Sequence, residues 1–377
     1  MNWIVAGRIL IALVLLPYVA VPVHDWPASH PFSGSRWWNP YEDVSGPWRR
    51  ANFHAHGQAW QGLTAGAQSD ADVVHAYHAA GYDIAGVSDY ESVSSLDVVP
   101  AYEHGYNLFK HHQLALGARA VVWWDYPLWQ GADEKQDVLD RLRPWTDLIV
   151  LNHPARLHGY TVDDVRRLAG YDLMEIANGL ITTEDRWDAA LSSGRPVLGI
   201  GGDDTHDVTD AHRFAVAWTM IATHDVTSPA VLDALHRGRS YVVVRKGPDP
   251  AAPDLALSSL TVEDSRIDVR LNGPDALISF VGQDGRVRQA TSGTIARYEL
   301  TDADTYIRTT VQGRTADLYL NPVIRTENGA PVWPRAAVDA WWTGLRRVAI
   351  AIACLLIAVP GWRSQRASAS LKGLLPP

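Results

Sequence analysis

The chain has 377 residues, 47% of them apolar and 20% charged, which excludes disorder or collagen-like repetition as a description of the whole. Lys and Arg total 33 against 42 Asp and Glu, a formal charge of −9, and no basic run interleaves with aromatics, so nucleic acid is not an expected partner. A single cysteine, Cys354, removes intramolecular disulfides and CxxC-type zinc sites together; any metal must be held by His, Asp and Glu, and 15 His are present.

In chain order, Ile9 to Val23 is uncharged and follows Arg8, the pattern of a signal anchor or of a signal peptide's apolar region. No A-x-A cleavage site is placed for it, so residues 1–24 are expected to stay as a membrane anchor. Residues 50–247 then alternate helical stretches with short apolar runs. Helices are expected at Asp70 to Ala80, Lys135 to Leu142, Val162 to Leu168 and Pro229 to His236. Strands are expected at Ile84 to Ser88, Leu148 to Leu151, Leu173 to Ala177 and Ser240 to Val244. Repeated helix-to-strand units without a GxGxxG turn favour a barrel-like parallel α/β array over a dinucleotide-binding fold.

Pro248 to Pro253 reads as a linker, and residues 254–330 as short alternating runs that form a small antiparallel β-sandwich. Over residues 341–362, the run Val348 to Trp362 with Trp341, Trp342, Arg346 and Arg347 before it reads as a C-terminal membrane helix, or as an amphipathic helix on the membrane surface. Arg8 at one end and Arg363, Arg366 and Lys372 at the other would put both termini in the cytoplasm and the main domains outside it.

Three segments offer His or Asp at a strand exit. Asn52 to Gly57 (NFHAHG) carries His54 and His56 two apart, on one face of an extended segment. Leu148 to Pro154 (LIVLNHP) delivers His153 where Pro154 stops the strand, and Gly201 to Asp207 (GGDDTHD) carries Asp204 and His206. Together they suit Zn, Mn or Fe. Asp203 ranks below Asp204, because it does not share a face with His206.

In their order, NFHAHG, GYDIAGVSDY, LNHP and GGDDTHD resemble the motifs of the PHP (polymerase and histidinol phosphatase) superfamily, and VLDALHRGRSYVV with the β domain looks like its secreted or membrane-associated, CehA/McbA-like branch. The resemblance spans residues 50–330. It implies a distorted seven-stranded βα barrel with up to three metals at its mouth, hydrolysing phosphoesters with an activated water. Carried over, it places ligands at His54, His56, His153, Asp204 and His206. It also puts Asp89-Tyr90 where the family has Asp-His, and Arg119 near the place of a bridging Glu, with no His between His112 and His153. One or two divalent ions are therefore expected rather than three, Zn or Mn first and Fe after them.

Glu175 alternates with apolar neighbours and is either a ligand or general base, or a salt-bridged neighbour of the site. Asp89 is expected to orient a His ligand. Arg119 either compensates a buried carboxylate or anchors an anionic substrate. His75 and His78 read as a solvated helix face, and the adjacent His111 and His112 as helical residues that point apart. Trp123, Trp124 and Trp129 line a sugar- or lipid-facing groove, or belong to a core and domain interface. The expected function is a membrane-anchored metal-dependent hydrolase of anionic small-molecule esters. The alternative is a degenerate barrel that binds a metal or an anion as a sensor or scaffold.

Overall fold

The computed structural model describes residues 14–15, 17–44, 46–63, 66–179, 181–247 and 254–358. By contacts the chain divides into two compact units, one of residues 26–336 and one of residues 1–25 with 337–377. The strands are β1 (Val23–Asp25), β2 (Arg36–Trp38), β3 (Trp48–Asn52), β4 (Ile84–Ala85), β5 (Ala101–His104), β6 (Gln113–Leu116), β7 (Leu148–Leu151), β8 (Leu173–Ala177), β9 (Leu198–Gly201) and β10 (Ala217–Ala222). They continue with β11 (Ser240–Arg245), β12 (Ala256–Glu263), β13 (Arg266–Asn272), β14 (Ala276–Gly282), β15 (Arg286–Gly293), β16 (Ile295–Glu299), β17 (Tyr306–Gln312), β18 (Ala316–Thr326) and β19 (Ala337–Asp339).

The fold is mixed α/β with several sheets, and the described strands close no barrel. A five-stranded sheet runs β5-β6-β7-β8-β9, parallel only across β7-β8-β9. A nine-stranded sheet runs β15-β14-β17-β18-β11-β10-β3-β4, with β2 added on β18. Where a barrel would close, β9 meets the larger sheet through side chains instead of a ladder. The Gly199 amide donates to Asn321 Oδ1 at 2.7 Å and the Gly201 amide to Thr219 Oγ1 at 2.9 Å. Backbone groups already bonded to side chains cannot extend the ladder.

The expected separate β-sandwich is corrected by the same sheet. β11 pairs with β18, with Tyr241 opposite Leu320 and Val243 opposite Leu318, so strands before and after the linker belong to one ladder. Only β12, β13 and β16 form a three-stranded sheet of their own. The core is continuous: Tyr77, Tyr82 and Trp218 pack in the same cluster as Ile267, Phe280 and Val323. Burying each such side chain contributes about 1.5–3 kcal/mol, so the cluster is a large share of the stability of this unit. A buried ion pair adds to the join, since Arg308 on β17 donates to both carboxylate oxygens of Asp188 at 2.7 and 2.6 Å. Asp188 lies on the helix Glu184–Ser192.

Local signals explain most elements. The helix Asp70–Ala79 begins at Ser69, whose hydroxyl accepts from the Asp72 amide, and it is followed by Gly81 at φ +83°. In the smaller unit β1 and β19 pair antiparallel, and the helix Ala340–Ala358 follows. The expected apolar spanning helices are not found: no helix of the described residues is long and apolar enough to cross a membrane. Residues 9–13 and 16 of the run Ile9 to Val23, the linker Pro248 to Pro253 and the tail from residue 359 lie outside the described residues.

Candidate metal centre

The HxH and DxH segments lie side by side. Ala55 and Thr205 form an isolated parallel bridge, the Asp204 amide donates to the His54 carbonyl at 2.9 Å, and the His56 amide to the Thr205 carbonyl at 2.9 Å. Extended backbone from β3 turns both imidazoles to the same side, with ring centroids 5.3 Å apart. Close approach demands glycine at position 202, where a Cβ would stand 2.8 Å from the His54 Cβ. Asp204 itself has φ +49° and His153 φ +28°, left-handed conformations that side chains adopt only where the surroundings hold them.

At the centre stands Glu103, a residue that sequence reasoning missed. It sits on β5 and is fully buried. Its Oε1 lies 3.2 Å from His54 Nε2, and its Oε2 lies 3.3 Å from His56 Nε2. The same Oε1 receives hydrogen bonds from Asn152 Nδ2 and His112 Nδ1, each at 2.9 Å, and from His153 Nε2 at 3.2 Å. Two donor groups share this carboxylate: His54, His56, Glu103 and Asp204 in one, and Glu103, His112 and His153 in the other. Within each group the ligand atoms lie within 4.8 Å of one another.

His112 was also missed as a ligand. His111 and His112 are not helical; they run in a non-helical segment directly into β6. A sequence signal existed in Tyr102-Glu103-His104-Gly105, a fourth strand exit of the type read at the other three. Arg119, the expected occupant of the bridging position, lies away from the cluster. Its side chain is 52% exposed and pairs with Asp147 at 2.7 Å.

The remaining expected residues surround the centre. Glu175 Oε1 accepts from His54 Nδ1 at 2.8 Å and its Oε2 from the His153 amide at 2.8 Å, which turns His54 Nε2 toward Glu103 and Asp204. Asp89 Oδ1 accepts from the Gly57 amide at 2.8 Å and stands 4.0 Å from His56 Nδ1. His206 stacks on His56 with centroids 4.4 Å apart, its Nε2 3.6 Å from Asp204 Oδ1. Tyr90 stacks on the His56 ring at 4.7 Å. Arg156 Nη1 donates to Asp204 Oδ2 at 2.6 Å, with its side chain 34% exposed.

The electrostatics show a cation-seeking site. Burial opposes charge on His54, yet Glu175, Glu103 and Asp204 hold its pKa well above the ordinary value. His56 is raised too, because Asp204 and Glu103 outweigh its burial. Burial alone would raise Glu103 and Asp204, but His112 and His54 hold the first well below the usual carboxylate range, and His54, His206 and His56 the second. Burial pushes His112 down to about 4 despite Glu103. Asp89 is raised to about 6 by burial and by Asp70.

The donor set fits a divalent metal by a direct observation. His54 Nε2, His56 Nε2, Glu103 Oε2 and Asp204 Oδ1 are all buried without a hydrogen-bond partner, as are His112 Nε2 and His153 Nδ1. Buried polar atoms left unpaired cost about 1–3 kcal/mol each, and a shared cation removes that cost. Imidazole and carboxylate donors without thiolate suit Zn, Mn or Fe.

No family model matches the chain, and no curated protein matches it. Among solved structures, a two-domain protein from Bacteroides vulgatus that contains a predicted PHP-like metal-dependent phosphoesterase is similar over 83% of this chain and 99% of its own, with 12% identity and a TM-score of 0.39.

Proposed function

We propose that the chain is a metal-dependent hydrolase acting on phosphoesters or related esters of anionic small molecules. The observation that carries this reading is the set of buried, partnerless donor atoms around Glu103. Zn or Mn held there would supply Lewis acidity, which for Zn lowers the pKa of a coordinated water to about 7 and polarises an ester oxygen. His54, His56, Glu103 and Asp204 would hold one ion, and Glu103, His112 and His153 a second.

The other residues have roles that follow from their contacts. Glu175 fixes the His54 tautomer by accepting from Nδ1, leaving Nε2 as the donor atom. At the Asp204 side the cluster opens to solvent, where the His206 side chain is 28% and that of Arg156 34% exposed. There the guanidinium has N–H groups to spare for anionic oxygens, one of the two parts expected of Arg119. Lys110, whose Nζ lies 5.5 Å from the Tyr90 ring centroid, is a second cation near the cluster.

The test is elemental analysis of the purified chain after loading with Zn or Mn, with generic phosphomonoester and phosphodiester assays on wild type and a His54→Ala/Asp204→Ala variant. One or more equivalents of metal, lost in the variant together with activity, supports the proposal. A folded wild type that stays metal-free after loading would sink it.

A further inference from the structure

Two indoles stand at the solvent boundary beside the cluster, and the chemistry proposed above does not use them. Trp60 is 47% exposed and Trp123 58% exposed, and their rings meet edge to face with centroids 5.7 Å apart and planes at 67°. Trp187 and Trp218 are fully buried, whereas Trp129 and Trp145 are also about half exposed, so what sets this pair apart is its ring contact and its tie to Tyr90. The position of Trp60 is held against a conformational cost, because Trp60 and Gln61 have φ of +53° and +58° in succession. Its indole Nε1 donates to the Tyr90 carbonyl at 2.8 Å. Tyr90 in turn stacks on His56, so one residue separates the indole corner from a ligand imidazole. On the other side Tyr106 Oη donates to the Trp123 carbonyl at 3.0 Å.

We propose that this corner is a subsite for a flat aromatic ring carried on the alcohol side of the ester, which makes aryl or heteroaromatic phosphoesters the substrate class. The proposal rests on the hydrolase reading and deepens it. Two indole planes at 67° offer a face and an edge together, and a third ring can lie offset on one while meeting the other edge to face. A sugar ring would need donors as well as acceptors around its rim, but the Trp60 N–H and the Tyr106 O–H are already donated to backbone carbonyls. The cations Lys110 and Arg156 flank Tyr90 and the cluster, so phosphate charge and ring have separate places.

The experiment uses the full-length, zinc-loaded chain with phenylphosphonate and methylphosphonate, which share a headgroup and differ by the ring. Calorimetry reads affinity, and ¹⁹F NMR of 5-fluorotryptophan protein reads location, with Trp60 and Trp123 resonances assigned by Trp60→Phe and Trp123→Phe. Phenylphosphonate is expected to bind about three- to tenfold more tightly, and to move both resonances where methylphosphonate moves neither. Trp60→Ala should erase the difference and Trp60→Phe keep it, with methylphosphonate binding unchanged in both. Equal binding of the two phosphonates with both resonances still would overturn the subsite and leave the hydrolase standing. Movement of the same resonances by methyl β-glucoside would overturn the aromatic class. If neither phosphonate binds, the phosphoester reading fails and the subsite fails with it.

Discussion

A single carboxylate decides how many ions the site can hold. Because Glu103 belongs to both donor groups, Glu103→Gln should lower metal content in both, while His153→Ala should lower it in only one. Elemental analysis of the two variants separates these outcomes, and an equal loss from both would mean that the groups are not distinct. Arg119→Ala should change neither metal content nor turnover, and should shift stability by less than about 0.5 kcal/mol, since the pair with Asp147 is exposed. The pH response of the metal-free chain follows from His54. Its folded pKa is raised above 6.5, so its stabilising contribution is complete below that value and is lost as pH rises through the folded pKa. Melting temperatures of metal-free protein should therefore fall from neutral to alkaline pH, and added Zn should restore them. Three of the four residues in the first donor group were legible because each is paired in a short motif. Glu103 was not, because a lone Glu in a strand reads as a surface residue until the strands around it are placed.

Elements carry their own record of what sequence can show. The helices at Asp70–Ala79, Ala132–Leu142, Val162–Arg167 and Ser228–His236 and the buried strands β7 and β8 stand close to the expected bounds, whereas the helix Glu184–Ser192 was not expected. β5, β6 and β10 were missed, although each is almost wholly buried, because four to six residues without alternation give no period to read. The helix Glu184–Ser192 shows how one buried pair ties an element down. Asp188→Ala would leave Arg308 buried beside Glu184 alone, at 2.8 Å. A loss of about 3–5 kcal/mol is expected in urea unfolding, with metal content retained in the folded fraction. A loss under about 1 kcal/mol would show that the pair is not desolvated as its burial implies.

At the scale of the molecule, the linker misled because composition marks where a chain turns polar, whereas sheet membership depends on strands far apart in sequence. β11 and β18 lie on either side of residues 248–253 and share a ladder. A chain ending at residue 247 should therefore expose the edge of β11 and aggregate, while residues 26–336 should unfold in one cooperative transition. Size-exclusion chromatography and calorimetry of the two fragments would decide between this and two independent folding units.

The pairing of β2 with β18 carries a consequence for biosynthesis. The Arg325 guanidinium donates to the Gly34 carbonyl across 291 positions, so the first and last strands of this unit are neighbours. A nascent chain has made every proposed ligand by residue 204, yet the sheet that carries His54 and His56 stays open at β11 and β2 until residue 326 has left the ribosome. During elongation the unit presents bare strand edges and a ligand set without its framework. Capture of metal by the finished framework then follows the emergence of β18, and anything that guards those edges must act before that point.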